Sequence, residues 1–191
     1  MNSKEHRHLP KLDAASYRGC AVVHWTMTIR DRKTGWLNEG LHARMREVLL
    51  HTVMRYDLLC PAYCFMPDHL HLVWIGVSGG ADQRIAAQFF RFHSGALLAP
   101  AGWQKQAFDH VLREDDRKRG AFAAVCHYIL ENPVRAKLVG TWNAYRYSGA
   151  ALPGFPDVDP RRNDYWETFW GIYVKRRELA EAQRSEGKAT R

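Results

Sequence analysis

His69-Leu70-His71 lies at the start of an apolar stretch, HLHLVWIGV, that reads as a β-strand. Residues i and i+2 of a strand point to one face, so the two imidazoles stand side by side with their backbones about 7 Å apart, while Leu70 enters the opposite face. Such a pair can converge on one divalent ion. A bare His-x-His, taken alone, is more simply read as two histidines on a solvated strand. Tyr128 and Asn132, four residues apart in a helical pattern, share one helix face with Ala121 and Ala124, whose small side chains leave room for a substrate. In that arrangement the Asn132 amide oxygen can join the imidazoles on the ion while the Tyr128 phenol reaches a phosphorus atom. A half-buried core tyrosine with a hydrogen-bonded hydroxyl fits the same spacing. The chemistry open to the set is nucleophilic. A phenol of pKa about 10 must lose its proton as it attacks, and a divalent ion polarises a phosphate and neutralises the charge that develops. Imidazole and amide donors with open positions suit Mg²⁺ or Mn²⁺ better than a closed zinc site.

The elements that must position these groups follow from periodicity and punctuation. CAVVHWTMTI (Cys20 to Ile29) reads as a first strand, followed by a charged turn at Asp31 to Gly35. Asn38 caps a helix expected over Glu39 to Arg55, with Leu41, Met45, Val48, Leu49 and Val53 near helical spacing. LLCPAYCFM (Leu58 to Met66) is a second strand whose Pro61 calls for an edge position or a bulge. Pro67-Asp68 turns it into the His69 to Val77 strand as an antiparallel hairpin. A helix over Asp82 to Leu98, a strand over Trp103 to Leu112 and a helix over Asp115 to Glu131, stopped by Pro133, complete the order. Strand, helix, strand, strand, helix, strand, helix predicts an α+β fold: a ferredoxin-like antiparallel sheet with helices on one face, a βαββαβ core plus a tyrosine-bearing helix. Phe122, Val125 and Ile129 should pack that last helix on the sheet. Residues 1–18 read as a flexible lead-in, 19–150 as the catalytic-type domain, and 151–191 as loop, C-terminal helix and basic tail. Thr141 to Asp164 reads as loop, Asp164 to Leu179 as a helix docked by Trp166, Phe169, Trp170 and Tyr173, and Gln183 to Arg191 as disordered.

Charge narrows the partner. Twenty-eight Lys and Arg against twenty Asp and Glu leave a formal +8, which favours polyanions, because neutralised phosphates release condensed counterions. Arg84, Arg91, Arg117, Lys118, Arg119, Arg135 and Lys137 are the candidate DNA contacts, with Lys175, Arg176 and Arg177 further along. Arg135 and Lys137 are favoured by their closeness in sequence to Asn132. Hydrophobic content of 46% argues against disorder. No window approaches the apolar length of a membrane helix, about 18 residues, and no secretory signal opens the chain, so no membrane partner is expected. Cys20, Cys60, Cys64 and Cys126 form no metal-type pairing and read as reduced thiols of a cytoplasmic protein.

The stretches Tyr63 to Trp74 (YCFMPDHLHLVW) and His127 to Val139 (HYILENPVRAKLV) strongly resemble the two signatures of the tyrosine-type HUH single-strand DNA transposases, in the expected order and spacing. The closer resemblance is to the branch associated with repetitive extragenic palindromes (REP), and WQKQAFDHVLR (Trp103 to Arg113) resembles the strand between those signatures. The likeness spans about residues 20 to 148. It implies that His69, His71 and Asn132 bind Mg²⁺ or Mn²⁺ and that Tyr128 is the nucleophile. The substrate would be single-stranded DNA beside hairpins, cleaved to a 5′-phosphotyrosine link and a free 3′-hydroxyl that can be resealed without ATP. It implies a bacterial, nucleoid-associated protein. Asn132, where the sister branch carries glutamine, points to the REP-associated group, in which one chain assembles the site as a monomer. The group that deprotonates Tyr128 is open: His127 lies about 100° around the helix, and His110 and Asp109 are weaker choices. A DNA-hairpin binding protein without turnover is the alternative. A replication initiator or relaxase of the wider class fits less well, since the chain is short and its helix holds no second tyrosine.

Overall fold

The structure is a computed structural model and describes residues 12–112 and 119–189, with the side chains of 119–120 and 187–189 excepted. Five strands form one sheet: β1 (Val22–Thr28), β2 (Leu58–Phe65), β3 (His69–Gly76), β4 (Phe108–Val111) and β5 (Ser148–Ala151), in the order β4-β1-β3-β2-β5 and with every pairing antiparallel. The helices are α1 (Glu39–Arg55), α2 (Gln83–Leu97), α3 (Arg119–Leu130), α4 (Asn132–Arg135) and α5 (Tyr165–Ala189). The expected α+β architecture and its βαββαβ order are present.

Strand alternation divides the buried side chains into two cores. Val23, Trp25, Met27, Leu70, Leu72 and Trp74 face α1 and α2, the two crossover helices, which share one face of the sheet. Val22, Val73 and Ile75 face the other way, against Phe122, Cys126 and Ile129 of α3 and Phe169 of α5. The Phe122–Ile129 stripe therefore packs on the sheet as its spacing requires. The α5 aromatics dock on it: the Phe122 and Phe169 rings stack at 5.9 Å and 18°. Asn38 Oδ1 accepts from the Leu41 amide and Asp82 Oδ1 from the Arg84 and Ile85 amides, so both crossover helices begin at true side-chain caps.

Pro61 marks a bulge. Leu59 pairs with Ile75 and Ala62 with Val73, so β2 spends three residues where β3 spends two. The extra residue reverses parity. Leu59 and Ala62 thereby enter the same core, and the Pro61 carbonyl, freed from the ladder, accepts from the Tyr165 hydroxyl at 2.5 Å. β2 is not an edge strand, because β5 pairs along its outer side.

Four boundaries differ from expectation. The strand expected from Trp103 begins only at Phe108, and Trp103 forms an isolated bridge with Ile29. Ala14–Tyr17 form a 3-10 turn capped by Asp13, and Tyr17 is buried, so this part of the lead-in belongs to the fold. The stretch expected as loop over 141–164 contains β5, and residue 150 lies inside that strand. α5 runs on to Ala189, through the stretch expected as a disordered tail, supported by an Arg177–Glu181 ion pair one turn apart. The start expected for α3 at Asp115 lies outside the described residues.

Gly76 is where β3 leaves the sheet against the lead-in: a Cβ there would sit 1.8 Å from the Gly19 carbonyl oxygen. A Cβ on Gly171, in α5, would meet nothing within 4 Å. Gly76→Ala is expected to cost about 1–3 kcal/mol of unfolding free energy. Gly171→Ala should stabilise by about 0.5–1 kcal/mol, as alanine does in an exposed helix. Urea unfolding of the two variants checks both signs.

Candidate active site

The sheet face under α3 is apolar toward one end and polar toward the other. The β1–β3 register sets Thr28 against His69, Thr26 against His71 and His24 against Val73, all on this face. His69 and His71 do stand together: their Nε2 atoms are 2.9 Å apart and their rings meet edge to face at 4.6 Å. Each ring is held from behind. His69 Nδ1–H donates to Asp68 Oδ1 at 2.5 Å, since a carboxylate can only accept, and Arg32 Nη1 donates to the other Asp68 oxygen at 2.7 Å. Burial alone would raise the Asp68 pKa, but the hydrogen bonds from His69 and Arg32 outweigh it and hold the carboxyl below its usual value. His71 Nδ1 lies 3.0 Å from Thr26 Oγ1 and 3.1 Å from His24 Nε2. Burial pushes His71 down to about 3, with His69 and His24 adding to the effect, and pushes His24 down to about 4, with His110 adding. Both are therefore neutral rings at neutral pH.

Tyr128 rises from α3 over this end of the sheet. Phe122, Cys126 and Ile129, all buried, anchor the helix, which leaves Tyr128 42% exposed. Its ring meets His24 edge-on at 6.4 Å, and His24 in turn lies 5.2 Å from His71. Tyrosine and histidine pair of one chain are thus joined through a residue that belongs to neither motif. The Arg135 guanidinium sits 4.2 Å from the Tyr128 ring centroid, the cation–π partner of that ring.

Asn132 turns its amide nitrogen into its own helix. Pro133 has no N–H to return to Ile129, and Asn132 Nδ2 takes that place, donating to the Tyr128 and Ile129 carbonyls at 3.0 and 3.3 Å. The side-chain nitrogen is committed to the helix, the oxygen is the end left for a ligand, and no hydrogen bond joins Asn132 to the histidines. Among the described residues no group of three His, Cys, Asp or Glu side chains could hold a metal ion. Two ligands on adjacent positions of one octahedral ion, each about 2.1 Å from it, have nitrogens about 3 Å apart. The histidine pair fits such an ion, and the remaining ligand positions fall to Asn132, water or substrate.

The other candidates separate by face. Asp109 points to the α2 side, where it accepts a short hydrogen bond from the Tyr17 hydroxyl. His110 pairs with His24 on the site side. His127 turns away, 3.6 Å from Glu131. Arg84 and Arg91 line a cleft of about 320 Å³ on the α2 side, together with Lys105 and Asp109, and not the face of the histidine pair. Arg91 is tied to the Gln104 carbonyl. Arg135 and Lys137 are exposed near α3. Arg176 donates to the Pro153 carbonyl and Arg177 pairs with Glu181, which ties both to the fold. Arg117 and Lys118 lie outside the described residues, as does the Arg119 side chain.

A solved structure of a REP-associated tyrosine transposase bound to a REP hairpin matches this chain with a TM-score of 0.60, over 76% of this chain and 82% of that one, at 18% sequence identity. The fold is shared. No family model matches the sequence, and no curated protein does. Among the described residues no helix is long and apolar enough to cross a membrane.

His24 and Thr26 do carry a signal of their own. They occupy i and i+2 of the first strand, the same alternation as His69 and His71, but which strands pair, and in what register, is not written in either segment alone. Asp68 signals only turn chemistry in the sequence, and its role behind His69 emerges from the fold.

The neutral histidines make a pH prediction. For His24, His71 and His42, which burial also pushes down to about 4, the folded-state pKa lies below the unfolded value of about 6.5. The unfolded chain binds more protons as pH falls, so stability is full above about 6.5 and declines below it, by about 1.4 kcal/mol per pH unit for each ring still neutral in the fold. Melting temperatures of the metal-free protein between pH 7 and 4 should fall with that curvature, and His42→Phe should flatten the slope.

Proposed function

We propose that this chain is a divalent-metal-dependent tyrosine endonuclease and strand transferase, of the transposase type, acting on single-stranded DNA beside hairpins. The observation that carries the reading is the site in one chain: two Nε2 atoms 2.9 Å apart on a sheet face, and an exposed tyrosine on the helix above, in ring contact with His24 beside them. The shared fold with a transposase bound to a REP hairpin, and the +8 charge, support DNA as the substrate.

His69 and His71 would hold the ion, with the Asn132 oxygen as the third protein ligand. When bound, Mg²⁺ or Mn²⁺ polarises the scissile phosphate and offsets the charge that develops on it. The rest falls to the chain's own groups. Asp68 and Arg32 keep the His69 ring from rotating. Arg135, over the Tyr128 ring, offers a charge to a DNA phosphate beside the nucleophile. Tyr128 Oη attacks phosphorus, the bond to the 3′-oxygen breaks, and that oxygen leaves as a hydroxyl carrying a proton. The phosphate remains joined to the 5′ side through tyrosine, so a second 3′-hydroxyl can reverse the step and reseal the strand. With both functions supplied by one chain, we infer a monomer, working at the bacterial nucleoid. The turn of the Asn132 amide into its own helix is the observation that favours the other reading, a hairpin-binding protein without turnover.

Incubation with Mn²⁺ and a labelled hairpin oligonucleotide carrying single-stranded flanks should give a denaturant-resistant protein–DNA adduct. Tyr128→Phe should abolish the adduct, and His69→Ala should slow its formation about 100-fold or more. No adduct with hairpin binding intact would establish the binding protein instead. Sedimentation should give the 22.1 kDa monomer; a stable dimer would assign the tyrosine to a partner's histidines.

A further inference from the structure

Two side chains of β1 converge on the second ring nitrogen of His71. Thr26 Oγ1 is 3.0 Å and His24 Nε2 is 3.1 Å from His71 Nδ1. The pairing register produces this directly, since Thr26 is the cross-strand partner of His71 and His24 follows two residues away on the same face. An imidazole that ligates a metal through Nε2 carries its proton on Nδ1 and needs an acceptor there, which fixes both tautomer and ring orientation. His69 has the Asp68 carboxylate for that purpose. His71 has no carboxylate hydrogen-bonded to it among the described residues. It has a hydroxyl and an imidazole, each able to accept one hydrogen bond.

We propose that Thr26 and His24 are positioning residues that hold His71 as the Nδ1-protonated tautomer and so present its Nε2, beside that of His69, to a divalent cation. The proposal rests on the metal-dependent reading above. His24 serves two neighbours, since its ring also meets Tyr128 edge-on at 6.4 Å. A neutral imidazole offers one lone pair, and Nε2 is the His24 atom that faces His71. The two ligands are then held by unlike partners. A carboxylate orients His69, and neutral acceptors behind His71 orient the second ring without adding charge beside the nucleophile.

The test is Mn²⁺ affinity of the full chain, read as free Mn²⁺ by electron paramagnetic resonance, with melting temperature as the check on folding. Thr26→Val keeps the β-branched shape and removes only the acceptor; combined with His24→Leu it should weaken Mn²⁺ binding about 10–100-fold. Thr26→Ser and His24→Asn, which keep an acceptor, should restore most of the loss. Wild-type affinity in the folded Val/Leu variant, with His69→Ala still weakened, would overturn the positioning role and leave the metal site standing. Equal losses in the Ser and Asn variants would also overturn it, because packing and not hydrogen bonding would then be the cause. No Mn²⁺ binding by the wild type would overturn this proposal together with the metal-dependent reading.

Discussion

The antiparallel pairing of β1 with β3 is the interaction on which the site depends. These are central strands, covered on both faces, so every side chain on them is committed to one of two interiors by parity. Moving the register by one residue would put Trp25 and Leu72 where His24 and His71 stand and would empty the core beneath α1 and α2. The hydrophobic side of the pairing therefore enforces the polar side. Trp25, Met27, Leu70 and Trp74 cannot be buried unless His24, Thr26, His69 and His71 gather on the opposite face.

Gathering four polar side chains on a covered face has a desolvation cost that hydrogen bonding must offset. The offset is visible atom by atom. Arg32 and Asp68 serve His69, while Thr26 and His24 serve His71. What remains is the pair of Nε2 atoms, 2.9 Å apart and in contact with one another. α3 lies across the sheet because Phe122, Cys126 and Ile129 have an apolar floor at the other end, with α5 behind them. Its Tyr128 end is consequently left over the polar end of the same face. Pro133 ends the helix there, and Asn132 Nδ2 donates to the Tyr128 carbonyl and to the Ile129 carbonyl that proline leaves without a donor.

Much of this was legible from local pattern because local physics decides it. Asn38 is a cap wherever a helix follows it. Pro61 lacks the N–H a strand ladder needs, and it sits at a bulge. The aromatic spacing of Trp166, Phe169, Trp170 and Tyr173 makes one helix face too apolar to be left in water, and it docks. β5 was not legible. Ser148-Gly149-Ala150-Ala151 has little intrinsic preference for a strand, and it becomes one because β2 presents an open ladder and Gly149 fits beneath the Tyr63 hydroxyl. The buried Tyr17 is a similar case, its partners being Trp25 and a fourth-strand carboxylate 92 residues away.

The sequence by itself determined which residues could do chemistry. His69 and His71 must share a strand face, and Tyr128 must ride on a helix stopped at Pro133, because both follow from backbone period within a few residues. Only the tertiary structure decided what surrounds them. It brought His24 and Thr26 from a strand more than forty residues away in sequence to the back of His71. It set Asp109 against the Tyr17 hydroxyl on the α2 side and turned the Asn132 amide nitrogen onto its own helix. Those outcomes depend on strand order, register and the competition for unpaired carbonyls, quantities that belong to pairs of segments and are not contained in any one of them.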